Sequence, residues 1–324
     1  MAQYNSENFK AQKKRPPQGL LYKVIKKGKI FSFTKSNDAI SISTVRDANP
    51  SSMRESMKDH QKEMFWDNNR LIFESLSGWS SLYFLVVGLT KIALIVFLPI
   101  LYSFSLISIL LGDGTLETES SYLAFVSLYL LAPSLLIYIH YKLIHKGHMN
   151  LAPFLRPILV FEANRENGSI TSYKENGEID FTHPFIEFDC ILISVPSPQG
   201  HLNYSLALTH RYNDYPSSVP IGDLIGKNEM VDEYHRLWNM IQRYMDVSQP
   251  MPDIMVLESS REQDPTTAAY DKKNTRNPRY WRDMTDEEFE ITIERIRKEQ
   301  EGQPSSGPEI NIFENNEPPE KYEV

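Results

Sequence analysis

Residues 92–111 read IALIVFLPILYSFSLISILL, and residues 122–139 read YLAFVSLYLLAPSLLIYI. Neither run holds an Asp, Glu, Lys or Arg. About 20 apolar residues carry a helix across the hydrocarbon core of a bilayer. Each run is near that length, and only GDGTLETESS (112–121) separates them. A link that short predicts a tight antiparallel helical hairpin with spans at about 82–111 and 122–140. Two such runs in succession are rare in soluble cores, which disfavours a pair of buried soluble helices. Pro99 and Pro133 fall inside the runs. They would break a helix in water, but packing against a partner helix absorbs such kinks in a bilayer.

The flanks set the orientation. The link holds Asp113, Glu117 and Glu119 and no cation, whereas Lys91, Lys142, Lys146 and Arg156 flank the outer ends. Positively charged flanks stay in the cytoplasm. Both termini are therefore expected in the cytoplasm and residues 112–121 outside. Trp79, Tyr83, Tyr138 and Tyr141 fall where an inner aromatic belt would lie, with Lys91, Lys142 and Lys146 as companion anchors. Lys91 has two readings. One is a side chain snorkelling to the interface. The other is an intramembrane charge with a transport role. The second run offers it no acidic partner, which favours the interface. The first 80 residues show no leading apolar core of a signal peptide.

Charge divides the rest of the chain. The 324 residues carry a net charge of −8 and a mean hydropathy of −0.38, values of an ordinary soluble protein. Residues 1–80 hold 14 Lys and Arg against 8 Asp and Glu, whereas residues 151–324 hold 17 against 31. The middle is neutral. Lys10, Lys13, Lys14, Arg15, Lys23, Lys26, Lys27 and Lys29 form a basic stretch that anionic headgroups would attract. The acidity of the whole argues against nucleic acid as a partner. One cysteine, Cys190, excludes a disulfide framework and any multi-cysteine metal site.

The region before the hairpin (1–80) shows two short alternating stretches, KIFSFT (29–34) and ISISTV (40–45), which read as half-buried strands. Residues near 54–76 read as a helix. After the hairpin, ILVFE (158–162), SITSYK (169–174), a run from Phe181 to Phe188, CILISVP (190–196), LNYSLALT (202–209) and VPI (219–221) read as a β-meander forming one sheet. The Asn-Gly steps at 167–168 and 176–177 are hairpin signals. Residues 228–246 form a helix with Val231, Tyr234, Trp238, Ile241 and Met245 on one apolar face. That face is expected to cover the sheet, completing a unit at 151–247. From 248 an acidic linker follows, then a helix over 286–299 with Thr285 and Glu288 as its capping box, then disorder from Glu301. The fold class is an α+β membrane protein. It joins a two-helix transmembrane hairpin (81–145) to a cytoplasmic antiparallel β-meander capped by a C-terminal helix, pleckstrin-homology-like by analogy.

No catalytic constellation is present: no HExxH, no GxSxG, no phosphate loop, no dinucleotide fingerprint. Cys190 sits in an apolar strand and reads as a small buried hydrophobe. His140, His145 and His148 flank a span without a neighbouring carboxylate or thiol ligand, so neither a metal nor a cofactor is expected. The chain reads as non-enzymatic.

The set LRPILVFEANRENGSITSYKENGEIDF, LNYSLALTHR, VPIGD and LWNMIQRYMD resembles an uncharacterised family of bacterial inner-membrane proteins. Those pair a two-span hairpin with a small cytoplasmic β-rich domain. Their genes are often found beside type VI secretion effector loci. The resemblance implies a role in interbacterial competition, such as an immunity or accessory protein for a secreted effector, and the acidic residues 151–324 would suit a basic partner. The other reading is an oligomeric pore, a homo-oligomer in which Lys91 and the loop carboxylates line a path.

Overall fold

A computed structural model describes residues 3–14, 28–46, 66–112, 114–155, 157–196, 202–226 and 228–314. In chain order the elements begin with β1 (Gly28–Phe31), the short helix α1 (Ile42–Arg46) and β2 (Arg70–Leu76). Next come α2 (Gly78–Ile92) and α3 (Leu98–Leu111), joined by a π turn at Ala93–Phe97. Then α4 (Leu116–Val126) and α5 (Ala132–His145) are joined by a π turn at Ser127–Leu131. The strands β3 (Pro157–Asn164), β4 (Ser169–Tyr173), β5 (Ile179–Pro184), β6 (Phe188–Pro196) and β7 (Leu202–His210) follow. Three helices close the order: α6 (Val231–Met245), α7 (Pro265–Lys273) and α8 (Asp286–Gln300). They form two compact units. One combines Met1–Phe73 with Leu159–Val324; the other is Glu74–Ile158.

The first unit is a mixed α+β body with two antiparallel sheets rather than one. β1-β6-β7 make a three-stranded sheet and β2-β3-β4-β5 a four-stranded one. Each sheet takes a strand from before the hairpin, so residues on both sides of it complete a single body. The Asn-Gly steps do make the β3–β4 and β4–β5 hairpins. Gly168 and Gly177 adopt φ +65° and +84°, which glycine accepts without a Cβ clash. The expected strand VPI shrinks to a single bridge from Val219 to Leu208.

Helix α6 organises this unit, and its whole circumference is used. Tyr234, Leu237, Trp238, Met240, Ile241, Tyr244 and Met245 are buried, and so are the polar Glu233, Asn239 and Gln242. The stripe accounts for the apolar group: Trp238 packs edge-on to Phe33 and donates to the Ser32 carbonyl at 2.9 Å. The polar face holds residues 34–43 instead of facing water. Gln242 accepts from Thr34 N–H at 2.7 Å. Asn239 accepts from Asn37 N–H and donates to the Ala39 carbonyl. Glu233 accepts from the Ser41 hydroxyl and Ser43 N–H, both at 3.0 Å. These side chains satisfy backbone groups that would otherwise need a sheet.

That competition explains why 40–45 is not a strand. Ile42–Arg46 is a short helix, with the Ser41 hydroxyl accepting from Thr44 N–H at its start. The helix read near 54–76 differs too. Residues 54–65 lie outside the described residues, and the remainder contains β2. Asp67 takes the N–H groups of Asn69 and Arg70, making a tight turn that launches the strand. Leu71 is then buried and Phe73 stacks on Phe161, a period of two.

Residues 248–314 are packed rather than linking. Met251, Ile254, Met255 and Leu257 are buried in the same core. Thr285 and Glu288 form the expected capping box of α8, and Phe289 and Ile293 are buried. The Pro- and Gly-rich stretch after Glu301 reads as disordered, yet through 312 it docks beside the N-terminal segment. Lys35 N–H donates to Pro308 O, Ile310 N–H to Phe33 O and Gln12 N–H to Ile312 O, each at 2.8 Å. Composition reports what a segment buries by itself, and these residues borrow a partner strand.

The second unit is the helical hairpin. Gly78–Leu111 and Leu116–His145 run as continuous helices of 34 and 30 residues. Each proline follows a π turn. The Leu98 N–H reaches back to Ala93 O, and the Ala132 N–H to Ser127 O. The wider turn relieves the clash between a proline ring and the carbonyl one turn earlier. The two π turns lie against each other at matched heights of the hairpin.

Candidate functional site

Small and hydroxylated residues form the seam of the hairpin: Ser80, Thr90, Ala93, Ser105 and Ser134 are all buried. Small side chains let two helices approach closely. Near the loop end, Glu119 accepts from the hydroxyls of Ser105 and Ser108, the latter at 2.9 Å. The Tyr102 and Ser127 hydroxyls bond across the middle. Toward the opposite end the Lys91 Nζ lies 4.6 Å from the centre of the Tyr141 ring. Lys142 Nζ lies 5.6 Å from that of Tyr138.

The expected anchors thus divide. Lys91, Tyr138, Tyr141 and Lys142 form one connected group. Tyr83 belongs to a neighbouring knot: its hydroxyl meets His140 Nδ1 at 2.9 Å, and its ring packs on Phe154. Ser77 and Ser80 donate to the Phe154 carbonyl, fastening residues 149–155 back onto α2. Trp79 is 72% exposed, and Lys146 is exposed where α5 ends. Of the basic stretch, Lys10, Lys13, Lys14 and Lys29 are exposed. Arg15, Lys23, Lys26 and Lys27 lie outside the described residues.

One cluster in the first unit escapes a sequence reading. His183 on β5, Glu187 in the turn after it and His210 at the end of β7 converge within 4.8 Å. Phe188 pairs with His210 in the β6–β7 register, which brings the distant residue to the turn. The only signal in the chain is a His and a Glu four apart, too common to single out. The donor set decides what the cluster can do. His210 Nδ1 accepts from the N–H groups of Tyr212 and Asn213, at 3.2 and 2.9 Å. Its proton therefore sits on Nε2 and is donated to Glu187, 3.2 Å away. A metal at Nε2 would force that proton onto Nδ1, against two backbone donors. Ligating histidines normally donate their second nitrogen outward, so the residues do not fit a metal. His183 Nε2 instead faces the Tyr215 hydroxyl at 2.6 Å. Burial lowers the His183 pKa, with His210 adding to the effect and Glu187 opposing it. Arg211 completes the corner, donating to Asp189 and to the Ile186 and Phe188 carbonyls. The group ties the two sheets together.

Cys190 is fully buried, and burial pushes its thiol well above the usual range, with Asp189 adding to it. It is a core residue without nucleophilic character.

Fold and site together define a class: a mixed α+β chain with antiparallel sheets and two helices long and apolar enough to cross a membrane. Set against family models, curated proteins and solved structures, the chain matches none. The resemblance drawn from its motifs stands on those motifs alone.

Proposed function

We propose that the chain is a two-pass protein of a bacterial inner membrane, with both termini cytoplasmic, whose α+β unit binds a partner protein. The observation that carries this reading is the outward surface of the hairpin. Ile95, Phe104, Leu110 and Leu136 are 73%, 67%, 75% and 68% exposed. Monomeric soluble proteins rarely expose contiguous apolar patches beyond a few hundred Å². Ile92–Leu111 would rise about 30 Å as a helix, the thickness of a hydrocarbon core. Lys91, Lys142 and Lys146 mark one end and Glu117 and Glu119 the other, the asymmetry of a cytoplasmic and an outer face.

Binding rather than chemistry is the reading for the α+β unit. Its likeness to a pleckstrin-homology-like order, meander then helix, is an analogy of element order. Headgroup recognition through its first hairpin gains no support, because Arg165 there is buried against Asp264. An acidic surface complements a basic partner, and the secreted-effector context rests on the resemblance. The pore alternative is less well supported, since Glu119 and Lys91 find their partners within one hairpin.

Two measurements test the proposal. The protein should resist carbonate extraction from membranes. A pull-down with the detergent-solubilised chain should recover a basic partner at low salt and lose it at high salt. Release of the chain by carbonate would refute the anchor. Failure to capture any specific partner would refute the binding role.

A further inference from the structure

A cleft of about 650 Å³ opens in the α+β unit among the 37–40 loop, α6, residues 251–253, and α8 with the residues after it. Its size suits a small molecule. Arg236, Arg243, Arg261 and Arg295 line it, with Tyr270 and Tyr280 among its aromatic wall. Arg261 is committed: it donates to the Met251 and Pro252 carbonyls and forks onto Asp271. Arg243 donates Nε to the Pro250 carbonyl at 2.9 Å and Arg295 donates Nη2 to the Tyr280 hydroxyl at 3.2 Å, leaving one ion pair each. Their carboxylate partners, Asp38 and Glu299, are 86% and 56% exposed, and such pairs are weak in water.

The informative feature is a pair of donors without acceptors. Arg236 spends Nη1 on Glu233 at 3.0 Å and Nη2 on the Gln300 carbonyl at 3.5 Å. Its Nε–H is buried with no partner among the described residues. Gln300, 8% exposed, accepts the Ile40 N–H through Oε1 at 2.9 Å. Its Nε2 is likewise buried and unpartnered. Turning the amide over would set its N–H groups against that of Ile40, so the orientation is forced. Buried donors are almost always satisfied. Here two sit on adjoining residues that line the same cleft, and both ask for oxygen.

We propose that this cleft binds a small oxyanion, a molecule bearing carboxylate or phosphate, whose oxygens accept from Arg236 Nε and Gln300 Nε2. Guanidinium forks suit both groups. Arg243 and Arg295 exchange their exposed partners for the same ligand. The site is independent of the membrane reading and needs no protein partner.

The test uses the full chain in detergent, followed by thermal unfolding at constant ionic strength. Inorganic phosphate and citrate are titrated separately, with chloride as the control. A saturable rise of roughly 2–4 °C in Tm is expected. A response to phosphate alone assigns phosphate, one to citrate alone assigns carboxylate, and one to both assigns the shared chemistry. Gln300→Glu keeps the acceptor for Ile40 and places a carboxylate beside Arg236. It should fold with an unchanged or higher Tm and no longer respond. Arg236→Lys should weaken the response at least tenfold. No saturable shift with either anion, a shift matched by chloride, or a full response in Gln300→Glu would overturn the assignment.

Discussion

Across the helical hairpin the Lys91 ammonium reaches Tyr141, 4.6 Å from the ring centre. Lys142 lies over the neighbouring Tyr138 ring. The proposed cytoplasmic boundary therefore draws on both helices, with two lysines and two tyrosines in one group.

The proposed topology is open to cysteine labelling. Cys190 is fully buried and should stay silent toward a maleimide in the native protein. Glu117→Cys should then label from outside with a membrane-impermeant maleimide, and Glu301→Cys only after permeabilisation. Lys91→Leu alone should leave this pattern intact, because Lys142 and Lys146 still hold the orientation. Reversed accessibility would refute the assignment.

Glu119 is the polar clasp of the hairpin, taking the hydroxyls of Ser105 and Ser108. Glu119→Ala should loosen the helix pair by about 0.6–2 kcal/mol. The readout is the resistance of the purified hairpin to SDS unfolding, with Glu117→Ala as the neutral comparison.

Arg165 is a costly side chain to lose. It is 1% exposed. It forks onto Asp264 and donates to the Tyr244, Asp246 and Gln249 carbonyls around the end of α6. Arg165→Ala leaves the buried Asp264 without its cation, held only by the Thr267 N–H and hydroxyl, at a cost of about 3–5 kcal/mol. Arg165→Lys should recover little, since an ammonium lacks the planar fork. Urea midpoints of the two variants decide this.

Gly307 tests the docked C-terminal stretch. A Cβ there would lie 2.0 Å from the Lys35 carbonyl oxygen, a backbone atom that cannot step aside. Gly307→Ala should release residues 304–312 and cost roughly 1–3 kcal/mol. Hydrogen exchange at the Lys35 and Ile310 amides should rise while exchange within α6 stays slow.

Acid should weaken the α+β unit. Burial lowers the pKa of His183, and it does the same at His235, where Lys29 adds to it and Asp232 opposes it. The unfolded chain then binds more protons than the folded one. Stability is complete above the ordinary histidine value of about 6.5 and falls as the pH drops through it toward the lowered folded values. The urea midpoint should decline from pH 7.5 to 5.5. The double variant His183→Gln, His235→Gln should show a flatter decline.

The apolar runs, the Asn-Gly hairpins, the Trp238 stripe and the Thr285–Glu288 capping box were all legible, because each is a local or periodic pattern. The reading failed where backbone groups found distant partners. Residues 40–45 alternate like a strand, yet Glu233 and the Ser41 hydroxyl turn them into a helix. The Pro-rich stretch after Glu301 has a disordered composition, yet it borrows Phe33 and Lys35 as hydrogen-bond partners. The cleft and the histidine corner were invisible for the same reason. Arg236 and Gln300, or Glu187 and His210, are far apart in the chain.

By itself the sequence determined the hairpin, its acidic link and the basic flanks, since apolar length and charge need no tertiary partner to be read. It also determined the order of β3 to β7, α6 and α8, but not α7, which falls in the stretch expected to be a linker. Only the tertiary structure decided that residues on both sides of the hairpin close into one α+β body, and that the polar face of α6 grips the chain that precedes the hairpin. A helix face rich in Glu, Asn and Gln reads as solvated until the backbone groups it satisfies are brought to it.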